Sequence, residues 1–214
     1  KVIITYKTLH LTRLVEGLIG LLELSITDRA DIDLVGRDQA VHIRGDAAQI
    51  HQAIHNIVVN AAESMGDSPG RITIAVGTTH CTRNTFQPPF QDDDLPEGKY
   101  AFVRISDTGS GMTPDTRARA FDPFFTTKFT GRGLGLSAVL GVVRGHRGAV
   151  SIESAAGRGT SVTLLFPAVE AASAEAGRLP SPGRTPAPAL QGRVLLVDDE
   201  EIILTIGTEM LKSV

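Results

Sequence analysis

Cysteine is nearly absent from this chain: Cys81 is the single one among its 214 residues. One cysteine excludes an internal disulfide bond and is typical of a reducing compartment. No apolar run approaches the roughly 20 residues that span a bilayer, and the start does not resemble a signal peptide. An excess of basic residues is also missing, because the formal net charge is -3, which argues against a nucleic-acid partner. We therefore expect a cytoplasmic fragment, since both ends fall inside plausible structure.

The first half of the chain carries clear helical periodicity. With 42% hydrophobic residues the chain can build one good-sized core and a smaller piece. Apolar spacing predicts an amphipathic helix over Leu11–Leu24 and a second one that starts after an N-cap at Asp46 and runs through Met65. Between them, residues 31–44 alternate loosely, which predicts a hairpin with a turn near residues 36–39.

The later part of the chain predicts four strands and one more helix. The strands are Arg71–Val76, Tyr100–Ser106, Val150–Glu153 and Thr160–Phe166, the helix is Leu134–Val143, and a long polar hairpin loop covers Gly77–Gly98. Together these elements predict an α+β fold, in which two or three helices pack on an antiparallel or mixed sheet of about five strands.

Two glycine clusters stand out, Gly109 with Gly111 and Gly131 with Gly133 and Gly135. Glycine permits close backbone approach and positive φ at little steric cost. The second cluster opens directly onto the predicted helix, whose N-terminal N–H groups and dipole favour an anion. Phosphate is the ligand that this arrangement predicts.

The second helix has an unusual polar face. Asn56, Asn60 and Glu63 follow one another at i, i+4 and i+7 and therefore share one side. Asparagine is disfavoured inside helices because its amide competes for backbone partners. The two amides are either simply solvent-facing or, ahead of the glycine clusters, oxygen ligands for a hard divalent cation. We favour the cation.

Residues 168–192 differ in composition from everything before them. Alanine, proline, serine, glycine and arginine dominate there, so this segment cannot bury enough apolar surface to order itself and is predicted to be a disordered linker. Residues 193–197 are then predicted to be a buried type of strand that ends at Asp198 and Asp199, followed by the start of a helix. This is the opening of an α/β unit, but 22 residues cannot complete a domain.

Four motifs in sequence order resemble one known family. They are NIVVNAAES at 56–64, DTGSG at 107–111, FDPFFTTK at 121–128 and GRGLGLS at 131–137. They are similar to the N, G1, F and G2 boxes of sensor histidine kinases, over about residues 8–167. The resemblance implies the catalytic ATP-binding domain with its Bergerat fold, a two-layer α/β sandwich. RVLLVDDEE at 193–201 resembles the start of a flavodoxin-like receiver domain, which implies a hybrid kinase with domains at 1–167 and 193–214.

The resemblance also implies roles for the residues around the first glycine cluster. Asp107 would accept a hydrogen bond from the adenine 6-amino group, although an aspartate before a glycine turn can also simply cap that turn. Gly109 and Gly111 would keep the loop close to the base, and Met112 would add an apolar wall. Thr160 would support the aspartate, often through water, or be an ordinary strand threonine.

The phosphate end of the nucleotide is implied in the same way. Asn60 and Asn56 would bind Mg²⁺, with triphosphate and water completing the oxygen shell. Lys128 and Arg132 would neutralise phosphate charge or remain solvated on a mobile lid. The implied phosphate contacts of the second cluster are Gly133, Leu134, Gly135 and Leu136. The rings of Phe121, Phe124 and Phe125 are expected to pack and anchor that lid.

Departures from the family pattern refine the expectation. Gyrase, MutL and Hsp90-type ATPases carry a glutamate at the position of Asn56, and an asparagine cannot take a proton from water, so efficient hydrolysis is not expected. Glu63 stands where many family members have a basic residue. No histidine, His51 and His55 included, lies in an H box, so the acceptor histidine is expected on a dimerisation domain before residue 1.

We therefore expect the Mg²⁺·ATP-binding catalytic domain of a hybrid sensor histidine kinase, homodimeric at full length, with its own dimerisation and receiver domains as partners. Two alternatives remain. One is an ATP-hydrolysing machine on the same fold, which rapid hydrolysis would favour. The other is a nucleotide-binding regulatory module without catalysis, which absent phosphotransfer would favour.

Overall fold

The computed structural model describes residues 6–26, 30–66, 69–86, 95–127 and 133–170. Its strands are β1 (Lys7–His10), β2 (Ala30–Val35), β3 (His42–Gly45), β4 (Gly70–Cys81), β5 (Gly98–Asp107), β6 (Ala149–Ser154) and β7 (Thr160–Pro167). Its helices are α1 (Leu11–Ile26), α2 (Ala47–Ser64), α3 (Pro114–Ala118) and α4 (Gly135–Gly145), with a 3-10 turn at Arg83–Phe86. The predicted receiver start and nearly all of the predicted linker lie outside these residues, as do Lys128 and Arg132. No described helix has both the length and the apolarity that crossing a membrane requires.

A five-stranded mixed sheet forms one layer of the fold. Its strand order is β2-β4-β5-β7-β6, with β2 parallel to β4 and every other pair antiparallel. Val76, Val103, Leu164 and Val150 stand in register across four strands, and all are buried. Because side chains alternate along a strand, this row faces the helices while the residues between them face away. The predicted α+β sandwich is confirmed.

Helix α2 forms where its sequence pattern predicts it. Asp46 caps it, since its Oδ1 accepts hydrogen bonds from the N–H groups of Ala48 at 3.0 Å and Gln49 at 3.2 Å. The apolar stripe is buried throughout: Ile50, Ile54, Ile57, Ala61 and Met65. With that face held in the core, Asn56 and Asn60 remain half-buried on the neighbouring face.

The predicted hairpin over residues 31–44 is wrong, although its turn exists. The Gln39 N–H donates to the Gly36 carbonyl at 3.0 Å, but β2 pairs in parallel with β4 and β3 pairs with β1. Alternation shows which face of a strand is apolar and does not identify the partner strand. The partners of Ile32 and Leu34 are the isoleucines of β4, which extend the larger core.

The predicted long loop over Gly77–Gly98 is also wrong in extent. Strand β4 continues to Cys81, which pairs with Gly98 at the start of β5. The following 3-10 turn buries Phe86 against Tyr100, with ring centroids 5.3 Å apart in an edge-to-face arrangement. Thr78, Thr79 and His80 of β4 are all exposed and polar, so the sequence shows no apolar alternation that would indicate a strand there. Cys81 and Phe86 join Tyr100 in a small second core.

Helices α2 and α4 lie antiparallel, and a buried histidine joins them at one end. His146, just after α4, accepts a hydrogen bond at Nε2 from the Asp46 N–H at 3.0 Å. Its Nδ1 lies 2.7 Å from the Val142 carbonyl, so Nδ1 carries the proton. At the other end, Asn56 Nδ2 lies 3.5 Å from the carbonyl of Gly135, at the start of α4. The helix start is thereby brought to the asparagine face of α2.

Strand β3 has a neighbour on each side. Strand β1 pairs with it along one edge, placing Leu9 opposite Ile43. On the other edge Ala168 forms a bridge with Ile43, and the Val169 N–H donates to the His42 carbonyl at 2.9 Å. The first and last described segments therefore meet on one short strand.

Candidate functional site

Asp107 lies at the end of β5, where three elements meet. One of its oxygens, Oδ1, accepts from the Gly109 N–H at 2.8 Å, the Ser64 hydroxyl at 3.2 Å and the Thr160 N–H at 3.2 Å. These donors belong to the following loop, the end of α2 and the start of β7. Hydrogen bonds to an ionised acceptor are stronger than neutral ones, so the orientation of this half-buried carboxylate is well defined.

The first glycine pair is required by close packing against protein. A Cβ on Gly109 would lie 1.9 Å from Ser64 Oγ. Gly111 has φ +65°, and a Cβ there would lie 2.0 Å from the carbonyl oxygen of Ala155. Any larger residue would push the loop away from α2 and from the β6–β7 turn. The structure brings both glycines together with Asp107.

Met112 and Thr160 complete this end of the site. Met112 packs against the core, and its N–H donates to Ser154 Oγ at 2.8 Å. The Thr160 hydroxyl lies 3.0 Å from Ser154 Oγ, so it is the backbone amide of Thr160 that reaches Asp107 directly. Ser154 was not singled out from the sequence, because a lone serine at a strand end carries no pattern.

Asn56 and Asn60 face the beginning of α4. Asn56 Oδ1 accepts from Gln52 Nε2 at 2.8 Å, while its Nδ2 points to Gly135. A Cβ on Gly135 would lie 3.3 Å from Asn60 Nδ2, so this glycine allows the two helices to approach. No side-chain cap satisfies the N-terminal N–H groups of α4, which leaves donors suited to an anion.

The protein side chains at this end supply only part of the oxygen ligands that a hard cation requires. Asn56 and Asn60 offer amide oxygens of the kind that Mg²⁺ accepts. Within the described ranges, no three His, Cys, Asp or Glu side chains are grouped to hold a metal ion. A cation here would therefore take most of its oxygens from a phosphate ligand and water.

The second glycine cluster is held by the aromatic segment. Gly133 has φ +66°, and its carbonyl accepts from the Phe124 N–H at 2.9 Å. Leu134, next in sequence, is 43% exposed, while Leu136 packs against the core. A Cβ on Gly133 would lie 2.4 Å from the Phe124 carbonyl carbon. This contact joins the two sides of the segment that holds Lys128 and Arg132, which itself lies outside the described residues.

The prediction that all three phenylalanine rings pack is wrong for one of them. Phe121 packs against the core, and Phe125 is half-buried beneath the Arg119 guanidinium, 4.2 Å from the ring centroid. Phe124 is 75% exposed and has φ +66°. Its backbone makes the structural contact, and its side chain points away from the core.

The two histidines of α2, His51 and His55, lie at partly buried positions. Burial lowers the pKa of His51 below its usual value of 6.5, which favours the neutral imidazole. Ser64 is the polar residue of this helix that sequence reasoning overlooked. Its only signal is its place at the end of the asparagine motif.

The chain is similar in sequence to known proteins. The family model of the histidine kinase-, DNA gyrase B-, and HSP90-like ATPases matches residues 45–170. The sensor kinase CckA of Brucella abortus (strain 2308) is 33% identical over 184 residues, covering 80% of this chain and 18% of that protein. The sensor protein FixL of Bradyrhizobium diazoefficiens is 33% identical over 154 residues, covering 72% of this chain and 26% of FixL. The chain thus spans about a fifth to a quarter of these relatives.

Solved structures share the fold. The catalytic domain of histidine kinase ThkA superposes with a TM-score of 0.60 at 24% identity, covering 76% of this chain and 95% of that domain. Full-length ShkA in complex with AMPPNP gives a TM-score of 0.60 at 20% identity, covering 78% of this chain and 32% of ShkA.

Proposed function

The chain belongs to the histidine kinase-, DNA gyrase B-, and HSP90-like ATPase family, and from that premise we propose that residues 1–167 bind Mg²⁺·ATP and donate its γ-phosphoryl group to a histidine. The observation that carries this proposal is Asp107, whose carboxylate is oriented by three donors from separate elements. Relatives described as sensor kinases and a neighbour complexed with AMPPNP support the nucleotide and the reaction class.

The base would be recognised at the Asp107 end of the site. The carboxylate accepts a hydrogen bond from the 6-amino group of adenine, whereas guanine would present a carbonyl oxygen and be repelled. Met112 supplies apolar surface beside the ring. Gly109 and Gly111 hold the loop tight enough for this contact, since their neighbours leave no room for side chains.

The phosphates would lie against the start of α4, where Gly133–Leu136 present backbone N–H groups. Asn60 and Asn56 would contribute amide oxygens to Mg²⁺, which neutralises charge on the phosphates when bound. Lys128 and Arg132 would add positive charge from the connecting segment. In this arrangement the chain positions the triphosphate and neutralises its charge, and the attacking histidine comes from another domain.

Transfer would form a bond between phosphorus and an imidazole nitrogen of the acceptor histidine, while the bond to the ADP oxygen breaks. Asn56 has no proton-accepting carboxylate, so the side chain at that position cannot activate a competing water. This property favours a kinase over an ATP-hydrolysing machine. For the full-length protein we propose that the partner is a homodimeric helical domain that carries the acceptor histidine. We also propose a cytoplasmic location.

The C-terminal part completes the proposal. We assign residues 168–192 to a linker, although Ala168 and Val169 contact β3, and residues 193–214 to the start of a receiver domain. In a complete receiver, Asp198 and Asp199 would help to hold Mg²⁺, and a later aspartate would accept the phosphoryl group. The chain would then belong to a hybrid kinase.

The proposal is tested by phosphotransfer. The chain is incubated with γ-labelled ATP and Mg²⁺ together with the acceptor-histidine domain of a sensor kinase relative, and with a matched domain whose acceptor histidine is alanine. We expect acid-labile label on the first domain only, abolished by chelation of Mg²⁺ and by Asp107→Asn. Fast phosphate release without transfer would favour the hydrolase, and tight ATP binding with neither reaction would favour the regulatory module.

A further inference from the structure

We propose that Ser64 is a positioning residue for adenine, which acts by holding Asp107 in the orientation that receives the 6-amino group. This inference rests on the proposed function, because it concerns the same base site. The sequence motif ends with Ser64, and nothing in the motif resemblance assigns a role to it. The geometry points to that role.

The Ser64 hydroxyl has two acceptors within reach. Its Oγ lies 2.7 Å from the Ala61 carbonyl oxygen and 3.2 Å from Asp107 Oδ1. A hydroxyl carries one hydrogen, so the two acceptors share or compete for it. A carboxylate is a stronger acceptor than a backbone carbonyl. If the hydrogen pointed to Ala61, the lone pairs of Ser64 Oγ would face those of Asp107 Oδ1 across 3.2 Å. The donation to Asp107 is therefore the arrangement that the charge favours.

The loop around Asp107 is shaped to admit this hydroxyl. A Cβ on Gly109 would come within 1.9 Å of Ser64 Oγ, so only glycine leaves space for it. The backbone takes part as well, because the Ser110 N–H donates to the Ser64 carbonyl at 3.0 Å. Ser64 thus contacts this loop through both its side chain and its main chain, and it fastens the end of α2 to the base site.

Ser64 differs in kind from the other two donors to Asp107. The Gly109 and Thr160 donors are backbone N–H groups, whose positions are set by the loop and by β7. The Ser64 hydroxyl is a side-chain donor from α2, the helix that also carries Asn60 one turn earlier. Without it, the carboxylate keeps its two backbone partners but loses its restraint on the α2 side. The 6-amino contact should weaken, while contacts to the rest of the nucleotide remain.

A cycle of two changes separates this role from general destabilisation. The change in the protein is Ser64→Ala, and the change in the ligand is ATP to purine riboside triphosphate, which lacks only the 6-amino group. We expect wild-type protein to prefer ATP, and Ser64→Ala to lose roughly fivefold in ATP affinity. Affinity for the purine analogue should stay unchanged. Both affinities are measured by calorimetric titration of the full chain.

Two further variants control the experiment. Ser161→Ala removes a hydroxyl that lies 2.9 Å from Ser106 Oγ on the sheet face opposite the helices, and it should alter neither affinity. Ser64→Thr keeps a hydroxyl at the position and should recover part of the preference for ATP.

Three results would overturn the inference. Equal losses for ATP and the analogue in Ser64→Ala would show a merely structural role, and unchanged ATP affinity would show no role. If wild-type protein does not distinguish ATP from the analogue, the assignment of Asp107 fails first, and the Ser64 role falls with it.

Discussion

Replacing Asp107 by asparagine should separate nucleotide recognition from folding. The aspartate carboxylate has two acceptor oxygens, and one of them already receives three internal hydrogen bonds. An asparagine offers one acceptor oxygen and an NH₂ group. If that oxygen serves the three internal donors, the NH₂ group is left to face the adenine 6-amino group, and two donors cannot bond.

The expected size follows from the bond that is lost. A hydrogen bond to a charged acceptor contributes about 1.5–3 kcal/mol, which corresponds to roughly 10- to 150-fold in Kd for ATP. In the variant, the three donors within the protein bond to a neutral amide oxygen instead of a charged carboxylate oxygen, at a half-buried position. The free energy of unfolding should therefore change by no more than about 1 kcal/mol.

Calorimetric titration with ATP and urea unfolding of the free protein measure the two effects. Asp31→Asn, the same chemical change at an exposed position on β2, is the matched control and should leave both unchanged. Unchanged ATP affinity in Asp107→Asn would refute the base-recognition role. A loss of stability as large as the loss of binding would make Asp107 a fold residue instead.

Three further predictions concern other parts of the molecule. Asn60→Ala should abolish Mg²⁺-dependent phosphotransfer and make ATP affinity insensitive to Mg²⁺; a persistent Mg²⁺ effect in calorimetry would contradict the metal role. Gly111→Ala should lower the unfolding free energy by at least about 1–2 kcal/mol because of its positive φ and its close contact. Gly20→Ala, in open space on α1, should raise it by about 0.5–1 kcal/mol, and similar shifts in both would refute the strain argument. The pKa of His10 is lowered below 6.5, mainly by burial and then by the nearby charges of His42 and Arg13. The unfolded chain therefore binds the proton more readily, stability should fall as the pH drops below about 6.5, and His10→Gln should flatten that part of the urea-unfolding pH profile; an unchanged slope would exclude this cause.

Local pattern predicts the elements whose stabilising forces are local. Helix α2 is predicted within one residue, because an apolar stripe and the Asp46 cap both lie in one continuous segment. The error over residues 31–44 arises because strand pairing is decided by residues far away in sequence. Strand β2 found its partner in β4, across the whole of α2.

The site divides in the same way. Motif resemblance predicts Asp107, Asn60 and the glycines as site residues, since each stands at a fixed place in a short motif. The hydroxyl of Ser64 and the backbone amide of Thr160 could not be predicted, because their importance depends on how close the ends of α2 and β7 come to Asp107. Phe124 shows the reverse, since an aromatic residue in a motif is expected to be buried and instead lies exposed on a left-handed backbone.

The position of β3 between β1 and Ala168 has a consequence for modularity. Adjacent strands lie about 4.8 Å apart, so Leu9 and Ala168, on either side of Ile43, are separated by roughly 10 Å. A domain whose two ends lie side by side can be inserted into a loop of a host protein without distorting the host backbone. A short peptide linker could also join the two ends in a circular permutation, with the new termini placed in an exposed turn such as the one at Arg37 and Asp38.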